Sequence, residues 1–592
     1  MKLEKLRSLM KENGIDYYVI PTDDFHASEY VGDYFRAREY VSGFSGSAGT
    51  LLVGKEFAGL WTDGRYFLQA SMELAGSGIE LMKMGVEGVP SLIEYLKEYL
   101  TEDKVLGFDG RCVSAGFVEE LKAVTERENI KIVYDKDLVG QMWENRPVLS
   151  RKPAWFLEDE ACGASCKEKI AGVRKEMKKK GAQALLLTSL DDIAWLFNMR
   201  GDDIVYNPVV LSFSVITEEV VRLFIQKGSL NAEQEIKFAM EGILLDSYLN
   251  VYDYVKTLNT ENIWLNDQKT SYALMENLPK DMEIIKGMTP VAYTKCIKNE
   301  KEQENMKAAH LKDGVAMTKF MCWLKTHAGK IEMDELSVAK CVKEFRKAQE
   351  GFVEESFTTI CGYGPNGAII HYGATEESNA KILPEGLLLI DSGAQFMEGT
   401  TDITRTFAMG PVTEEEKTNF TIVLRSNLRL GAVIFKEGCT GENLDMVARQ
   451  PLWEAGLDYN HGTGHGIGFV LNVHETPARI NWKGRSGYGE NETIKPGMII
   501  SNEPGFYKEG AHGIRLENLI LCNEAEVTEY GRFLNFETLT LVPFDLDAVD
   551  VTLLESKEKQ LLNDYHGRVY KELSPYMTEE ELVWLKNATR AV

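Results

Sequence analysis

Twice in the last third of this chain an apolar run leads into an acid, a turn-rich stretch follows, and a second acid comes just beyond it. In the first copy Gly386-Leu387-Leu388-Leu389-Ile390 precedes Asp391, the turn is Met397-Glu398-Gly399-Thr400, and Thr401-Asp402-Ile403-Thr404-Arg405-Thr406 carries the partner acid. In the second, Gly497-Met498-Ile499-Ile500-Ser501-Asn502 precedes Glu503, the turn is Lys508-Glu509-Gly510-Ala511-His512-Gly513, and Ile514-Arg515-Leu516-Glu517-Asn518 carries the partner. Such runs predict core strands, and such turns predict hairpins. The expected plan is strand, acid, hairpin, acid, repeated, with each second acid on the return strand. An unpaired carboxylate at the end of a core strand costs several kcal/mol or stays protonated. Two facing hairpins of this kind would gather four carboxylates that repel one another unless cations join them.

Between the acid pairs lies His461-Gly462-Thr463-Gly464-His465-Gly466-Ile467-Gly468, with His474-Glu475 shortly after. Glycines flanking imidazoles permit backbone shapes closed to other residues and let a ligand come near. Of the nine histidines in the chain, His371, His461, His465 and His474 fall in this region. His371 ends Gly367-Ala368-Ile369-Ile370-His371-Tyr372, which predicts an apolar strand closing on a polar pair. Asp391, Asp402, His465, Glu503 and Glu517 together offer four negative charges and one neutral imidazole, a set that two divalent cations balance. Oxygen-rich donors without thiolate suit Mn(II), and also Co, Fe or Zn, better than a structural zinc site.

Taken singly, each residue has a plainer explanation. An acid in a hairpin is ordinarily a turn former or a solvated face residue, and a lone buried histidine is ordinarily a satisfied core residue. The combination carries the metal reading, because the plain explanation must account for two matched acid pairs and for the histidines between them.

Ala368-Ile369-Ile370-His371-Tyr372, Ile390-Asp391-Ser392-Gly393, Thr401-Asp402-Ile403-Thr404-Arg405-Thr406, His461-Gly462-Thr463-Gly464-His465-Gly466, Ser501-Asn502-Glu503-Pro504-Gly505 and Ile514-Arg515-Leu516-Glu517-Asn518 resemble the pita-bread metallopeptidases. Within them the chain is most similar to the three-domain aminopeptidase P (Xaa-Pro aminopeptidase) family. The resemblance extends to Trp61-Thr62-Asp63-Gly64-Arg65-Tyr66-Phe67, to Arg200-Gly201-Asp202-Asp203 and to Asn207-Pro208-Val209. It implies an α/β (α+β) chain with two related creatinase-N-terminal-like domains ahead of a C-terminal pita-bread catalytic domain. It further implies that Asp402 and Glu517 bridge two metals, that Asp391 completes one coordination sphere, and that His465 and Glu503 complete the other. The implied reaction is release of the residue before a second-position proline by a hydroxide activated between the metals. Glu503 would carry the proton, and His371 or His474 would help stabilise the oxyanion. His461 and His474 would line the proline pocket, with His371 also facing the substrate. Arg65 would reach the substrate, against the alternative of a turn with an exposed arginine, and Arg515 would face the same site and steady the carboxylates. The resemblance favours manganese and implies a homodimer, for which Trp453 is a candidate contact unless it belongs to the core.

A formal charge of -25 over 592 residues disfavours nucleic acid and anionic membranes as partners. Nine cysteines without a CxxC, Cys162 and Cys166 being the only close pair, read as reduced thiols of a cytoplasmic protein. The first ten residues alternate charged and apolar positions at helical spacing with no continuous apolar core, unlike a secretory signal. No run has membrane-spanning length.

The front half repeats itself. A helix ending in Met10-Lys11-Glu12-Asn13-Gly14 leads into Asp16-Tyr17-Tyr18-Val19-Ile20, and a helix ending in Met177-Lys178-Lys179-Lys180-Gly181 leads into Gln183-Ala184-Leu185-Leu186-Leu187. Each expected strand is followed by a threonine and an aspartate pair, and each glycine is an expected helix cap. The polar bridge from Glu144-Asn145-Arg146-Pro147 to Arg151-Lys152-Pro153 separates the copies. Expected domains are therefore 1–145, 146–295 and 296–592. The charged run 298–307 predicts a solvated helix face with no chemical role, and the tail from Val551 predicts helices that pack or mediate dimer contact. A dipeptide-specific prolidase would share the ligands but is typically shorter, with one N-terminal domain. Creatinase-like hydrolases lack this metal set, and peptidase-like binding modules generally lose ligands that are intact here.

Overall fold

A computed structural model describes residues 2–125, 130–483 and 492–592. The chain forms two compact units, Met1–Leu157 with Ala164–Val291, and Glu158–Gly163 with Ala292–Val592. In the first unit the helix Lys2–Glu12 is followed by Gly14 at φ +65° and the strand Tyr17–Pro21. The helix Cys166–Lys180 likewise ends at Gly181, left-handed at φ +75°, before the strand Ala184–Leu187. Both glycines take a backbone conformation that side chains with a Cβ disfavour, and each thereby turns an amphipathic helix back onto a sheet.

The two sheets match strand for strand. One runs Glu80–Lys83, Ala58–Thr62, Thr50–Gly54, Tyr17–Pro21, Val105–Phe108, Lys131–Val133, and the other Ile243–Ser247, Val221–Ile225, Ser212–Thr217, Ala184–Leu187, Asn262–Leu265, Glu283–Lys286. In both, the second strand of that order pairs antiparallel with the third and the third with the fourth, and the remaining pairs are parallel. The expectation of two related α/β domains is met at the level of topology.

In the second unit the helix Glu300–His327 is capped reciprocally by Asn299 and Glu302. The charged run at its start is exposed at Glu300, Lys301, Glu304 and Lys307, as expected, but departs from a solvated face at two positions. Lys298 and Glu302 are buried, and Lys298 and Lys295 converge on the buried Glu475, with Lys295 Nζ 3.6 Å from Glu475 Oε1. A buried carboxylate next to His474 requires cations, and the segment leading into this helix supplies them.

Two antiparallel sheets carry the acids. Leu387–Ser392 lies between Ile360–Tyr363 and Ile403–Ala408. Ile499–Asn502 lies between Asn518–Thr528 and Gly464–Gly466 in a six-stranded sheet. Leu388, Leu389 and Ile390 are almost wholly enclosed, each worth roughly 1.5–3 kcal/mol of apolar burial. The helices Glu335–Lys347, Glu414–Gly431 and Gly441–Glu454 flank this core. The tail forms the helices Ser556–Leu573 and Glu579–Ala588, which pack on Glu300–His327.

Candidate metal centre

Asp391 sits inside Leu387–Ser392, paired across the ladder with Ile360 on one side and Thr404 on the other. The hairpin Ala394–Phe396 and Gly399–Thr400 follows, and Asp402 comes between that hairpin and the strand Ile403–Ala408. Glu503 stands just after Ile499–Asn502, the hairpin Gly505–Lys508 and His512–Arg515 follows, and Glu517 lies between that hairpin and the strand Asn518–Thr528. The repeated plan is present, with one correction. Asp402 and Glu517 do not lie on the return strands, and Arg515 and Glu517 do not share a strand. In each copy the second acid occupies the link where the chain leaves its hairpin for a different sheet, with the Glu517 N–H donating to Thr404 O at 3.0 Å.

His465 lies on Gly464–Gly466. A Cβ on Gly464 would stand 1.9 Å from Ser501 O, so glycine alone lets this strand press against Ile499–Asn502. The His465 Nε2 atom is 3.5 Å from Asp402 Oδ2 and 3.4 Å from Glu503 Oε1. Its Nδ1 is 3.0 Å from Gly466 O, an arrangement that leaves Nε2 as the free donor atom of a neutral ring. Asp402, His465 and Glu517 each present a donor atom within 4.8 Å of the others.

The electrostatics are those of closely packed, buried carboxylates. Burial pushes Glu503 up to about 7, against the lowering influence of His465 and Arg515, while Asp402 and Asp391 raise it further. Glu517 is driven well above the carboxylate range by burial and then by Asp402, Glu503 and Asp391. Asp391 is raised by burial despite Arg515, with Asp402 adding to the rise. Burial lowers His465, but Asp402 and Glu503 outweigh it and lift the imidazole to about 9. The buried Asp391 Oδ1 accepts no hydrogen bond. Four mutually repelling carboxylates, an imidazole with Nε2 directed at two of them and an orphaned buried oxygen fit divalent cations.

Arg515 ties the two halves together. Its Nη2 donates to Asp391 Oδ2 at 2.6 Å and its Nε to Thr404 Oγ1 at 3.2 Å, while the Thr404 hydroxyl donates to Glu517 Oε2 at 2.8 Å. Its Nη1 donates to Tyr507 Oη at 2.8 Å, and that oxygen is 2.9 Å from His461 Nε2. His461 Nδ1 is 2.8 Å from Gly462 O and 3.9 Å from Glu503 Oε2. Because a carbonyl only accepts, Nδ1 carries the proton in the neutral ring and Nε2 receives the tyrosine hydroxyl. The His474 ring stands edge-on to the His465 ring, with centroids 4.3 Å apart.

His371 departs from the expected strand. Gly364–Ala368 is a 3-10 helix and residues 369–371 turn, because Pro365 pre-sets a helical turn and Gly367 packs backbone to backbone against Gly513. The half-buried His371 follows Ile370, whose carbonyl is 3.4 Å from Arg515 Nη2. Arg65 lies in the first unit, where Asp63 accepts its Nε and Nη2, each at 2.8 Å, and Glu29 is 3.9 Å away. Trp453 is 38% exposed and packs edge-on against Trp482. Sequence reasoning missed Tyr507, Thr404 and Ser501, whose hydroxyl donates to Glu503 Oε1 at 3.1 Å. The alternation of the short strand Gly505–Lys508 was the one available signal for Tyr507.

Residues 304–524 match the metallopeptidase family M24, residues 2–135 and 145–302 each match the creatinase/prolidase N-terminal domain, and residues 532–592 match the C-terminal region of peptidase M24. A probable Xaa-Pro aminopeptidase P of Botryotinia fuckeliana is 39% identical over 99% of this chain and 92% of its own length. Xaa-Pro aminopeptidase 1 of Dictyostelium discoideum is 37% identical over 99% and 95%. Among solved structures, the X-prolyl aminopeptidase of Caenorhabditis elegans, described as a cytosolic enzyme with a di-nuclear active site, superposes with a TM-score of 0.94 at 32% identity over 100% of this chain and 99% of that one. A Xaa-Pro dipeptidase of Bacillus anthracis, at 25% identity and a TM-score of 0.52, spans 64% of this chain and 99% of its own.

Proposed function

The chain belongs to metallopeptidase family M24 and is a metal-dependent aminopeptidase, and from that premise we propose that it removes the N-terminal residue from peptides with proline in second position. Full-length similarity to aminopeptidases carries this reading over the dipeptidase alternative, which leaves about a third of the chain unmatched.

In our reading Asp391, Asp402, His465, Glu503 and Glu517 would hold two divalent cations; these oxygen-rich donors suit Mn(II), Co, Fe or Zn, and the family resemblance favours manganese. When bound, such a pair supplies an acidified water and a Lewis acid for the scissile carbonyl. Glu503, a carboxylate whose Oε1 is 3.4 Å from His465 Nε2, has the chemistry of a proton carrier. In this reading His474, whose ring packs on His465, and His371, next to the Ile370 carbonyl that Arg515 approaches, would donate to the developing oxyanion. His461, fixed by Tyr507 and Gly462, offers a rigid wall for a pyrrolidine ring. The carboxylates around Asp391 suit a substrate ammonium, and Arg515 orients them from behind. We further propose a cytosolic homodimer. Nine free cysteines support the compartment, and the exposed Trp453 and Trp482 pair offers a contact surface. Among the described residues no helix is long and apolar enough to cross a membrane.

Incubation with Arg-Pro-Pro and with Ala-Pro tests the specificity. Release of free arginine from the tripeptide is the expected result, and cleavage of the dipeptide alone would make the chain a prolidase.

A further inference from the structure

Asn427 lies on the helix Glu414–Gly431, is 2% exposed, and belongs to neither acid hairpin. Its side-chain nitrogen donates to Asn502 O at 2.8 Å and to Leu516 O at 2.9 Å. Asn502 and Leu516 directly precede Glu503 and Glu517. The Asn427 backbone carbonyl accepts from Asn502 Nδ2 at 2.8 Å, and its Oδ1 faces Asn518 Nδ2 at 3.4 Å. Two carbonyl partners fix which end of the amide is nitrogen, and both of its hydrogens are engaged.

We propose that Asn427 is a positioning residue that sets the spacing of Glu503 and Glu517 by gripping the peptide carbonyl before each. The inference rests on the two-metal reading above. Asp391 needs no such clamp, because it lies within a strand laddered on both sides. Glu503 and Glu517 both lie outside regular strands. Their own N–H groups are held by Thr463 O at 2.9 Å and Thr404 O at 3.0 Å, and Asn427 holds the carbonyl at the other side of each of the same two peptide groups. Without this amide two buried carbonyls lose a donor, and the two glutamates can drift relative to each other.

Metal-free full-length chain is titrated with Mn(II) by calorimetry under chelator competition, alongside apo-state thermal unfolding, for wild type, Asn427→Ala and Asn427→Asp. The expected result is two binding steps in wild type, and in Asn427→Ala a loss of about 10- to 100-fold in the step that Glu503 serves, the scale of outer-sphere changes at metal sites, with a smaller loss in the other step, which shares only the bridging Glu517. Asn427→Asp, which turns an acceptor toward two carbonyls, should weaken the same step further. Unfolding near the wild-type temperature with both steps unchanged in either folded variant would overturn the proposal. So would equal weakening of both steps, which is the mark of general loosening. Failure of the wild type itself to bind two Mn(II) would instead remove the two-metal reading, and this inference with it.

Discussion

The two acid hairpins follow one plan and differ in depth. The strands Ala394–Phe396 and Gly399–Thr400 are buried throughout, and the acids beside them are aspartates, whose short side chains stay where the backbone puts them. The strand Gly505–Lys508 is half open, the acids beside its hairpin are glutamates, and the hairpin itself carries Tyr507 and Arg515. In the proposed reading the deeper copy supplies negative charge, and the shallower copy carries the groups that handle protons and substrate. Its return strand sends Arg515 back to Asp391, so the shallow copy also steadies the deep one.

This division predicts unequal responses to substitution. The largest effect should come from Glu503→Gln, which keeps the shape and removes the proton carrier. The value of kcat/KM on Arg-Pro-Pro should fall by about 10²–10⁴-fold, the usual worth of such a group, and retention of full activity would give that role to another residue. Arg515→Leu should be next, because it leaves Asp391 buried and unpaired. Denaturant unfolding of the metal-free chain should show a loss of about 3–5 kcal/mol, with added Mn(II) restoring part of it. If the loss is the same with and without metal, Arg515 is not holding a ligand.

The pH dependence sharpens the same contrast. Glu503 at about 7 and His465 at about 9 both lie above their ordinary values of 4.5 and 6.5, so at these two groups the metal-free fold binds more protons than the unfolded chain. Its stability should therefore decline as pH rises from about 4.5 through 9. Cation binding must expel those protons, so Mn(II) affinity should rise over the same span. Calorimetry at several pH values checks both, and a flat affinity profile would contradict the assigned ligands. The smallest effect should be that of Tyr507→Phe. Losing one hydroxyl between Arg515 and His461 should cost about 0.5–1.5 kcal/mol, read as a rise in KM for Xaa-Pro peptides with kcat nearly unchanged.

The acids were legible because burial writes itself into sequence as apolar runs, and a carboxylate ending such a run is conspicuous. The front-half repeat was legible for a similar reason, since a helix, a glycine and a core strand recur in order. Other features depended on partners far along the chain. Lys298 reads as one more charge in a polar run until the fold brings it to Glu475, 177 residues away. Asn427 looks like any helix asparagine until its amide meets two strand ends. The segment before His371 was misread because apolar alternation suggested a strand where Gly364-Pro365-Asn366-Gly367 imposes a turn of 3-10 helix. The linking positions of Asp402 and Glu517 could not be seen, because a change of sheet leaves no periodic mark.

In the proposed reading both acid hairpins act together as a single two-metal site. Its most direct test is to strip the chain with chelator, add back Mn(II) in measured equivalents, and follow arginine release from Arg-Pro-Pro beside bound metal per chain. The account predicts no activity after stripping and recovery that is complete when two ions are bound to each chain. Undiminished activity in the stripped chain, or saturation of binding at a single ion, would contradict it.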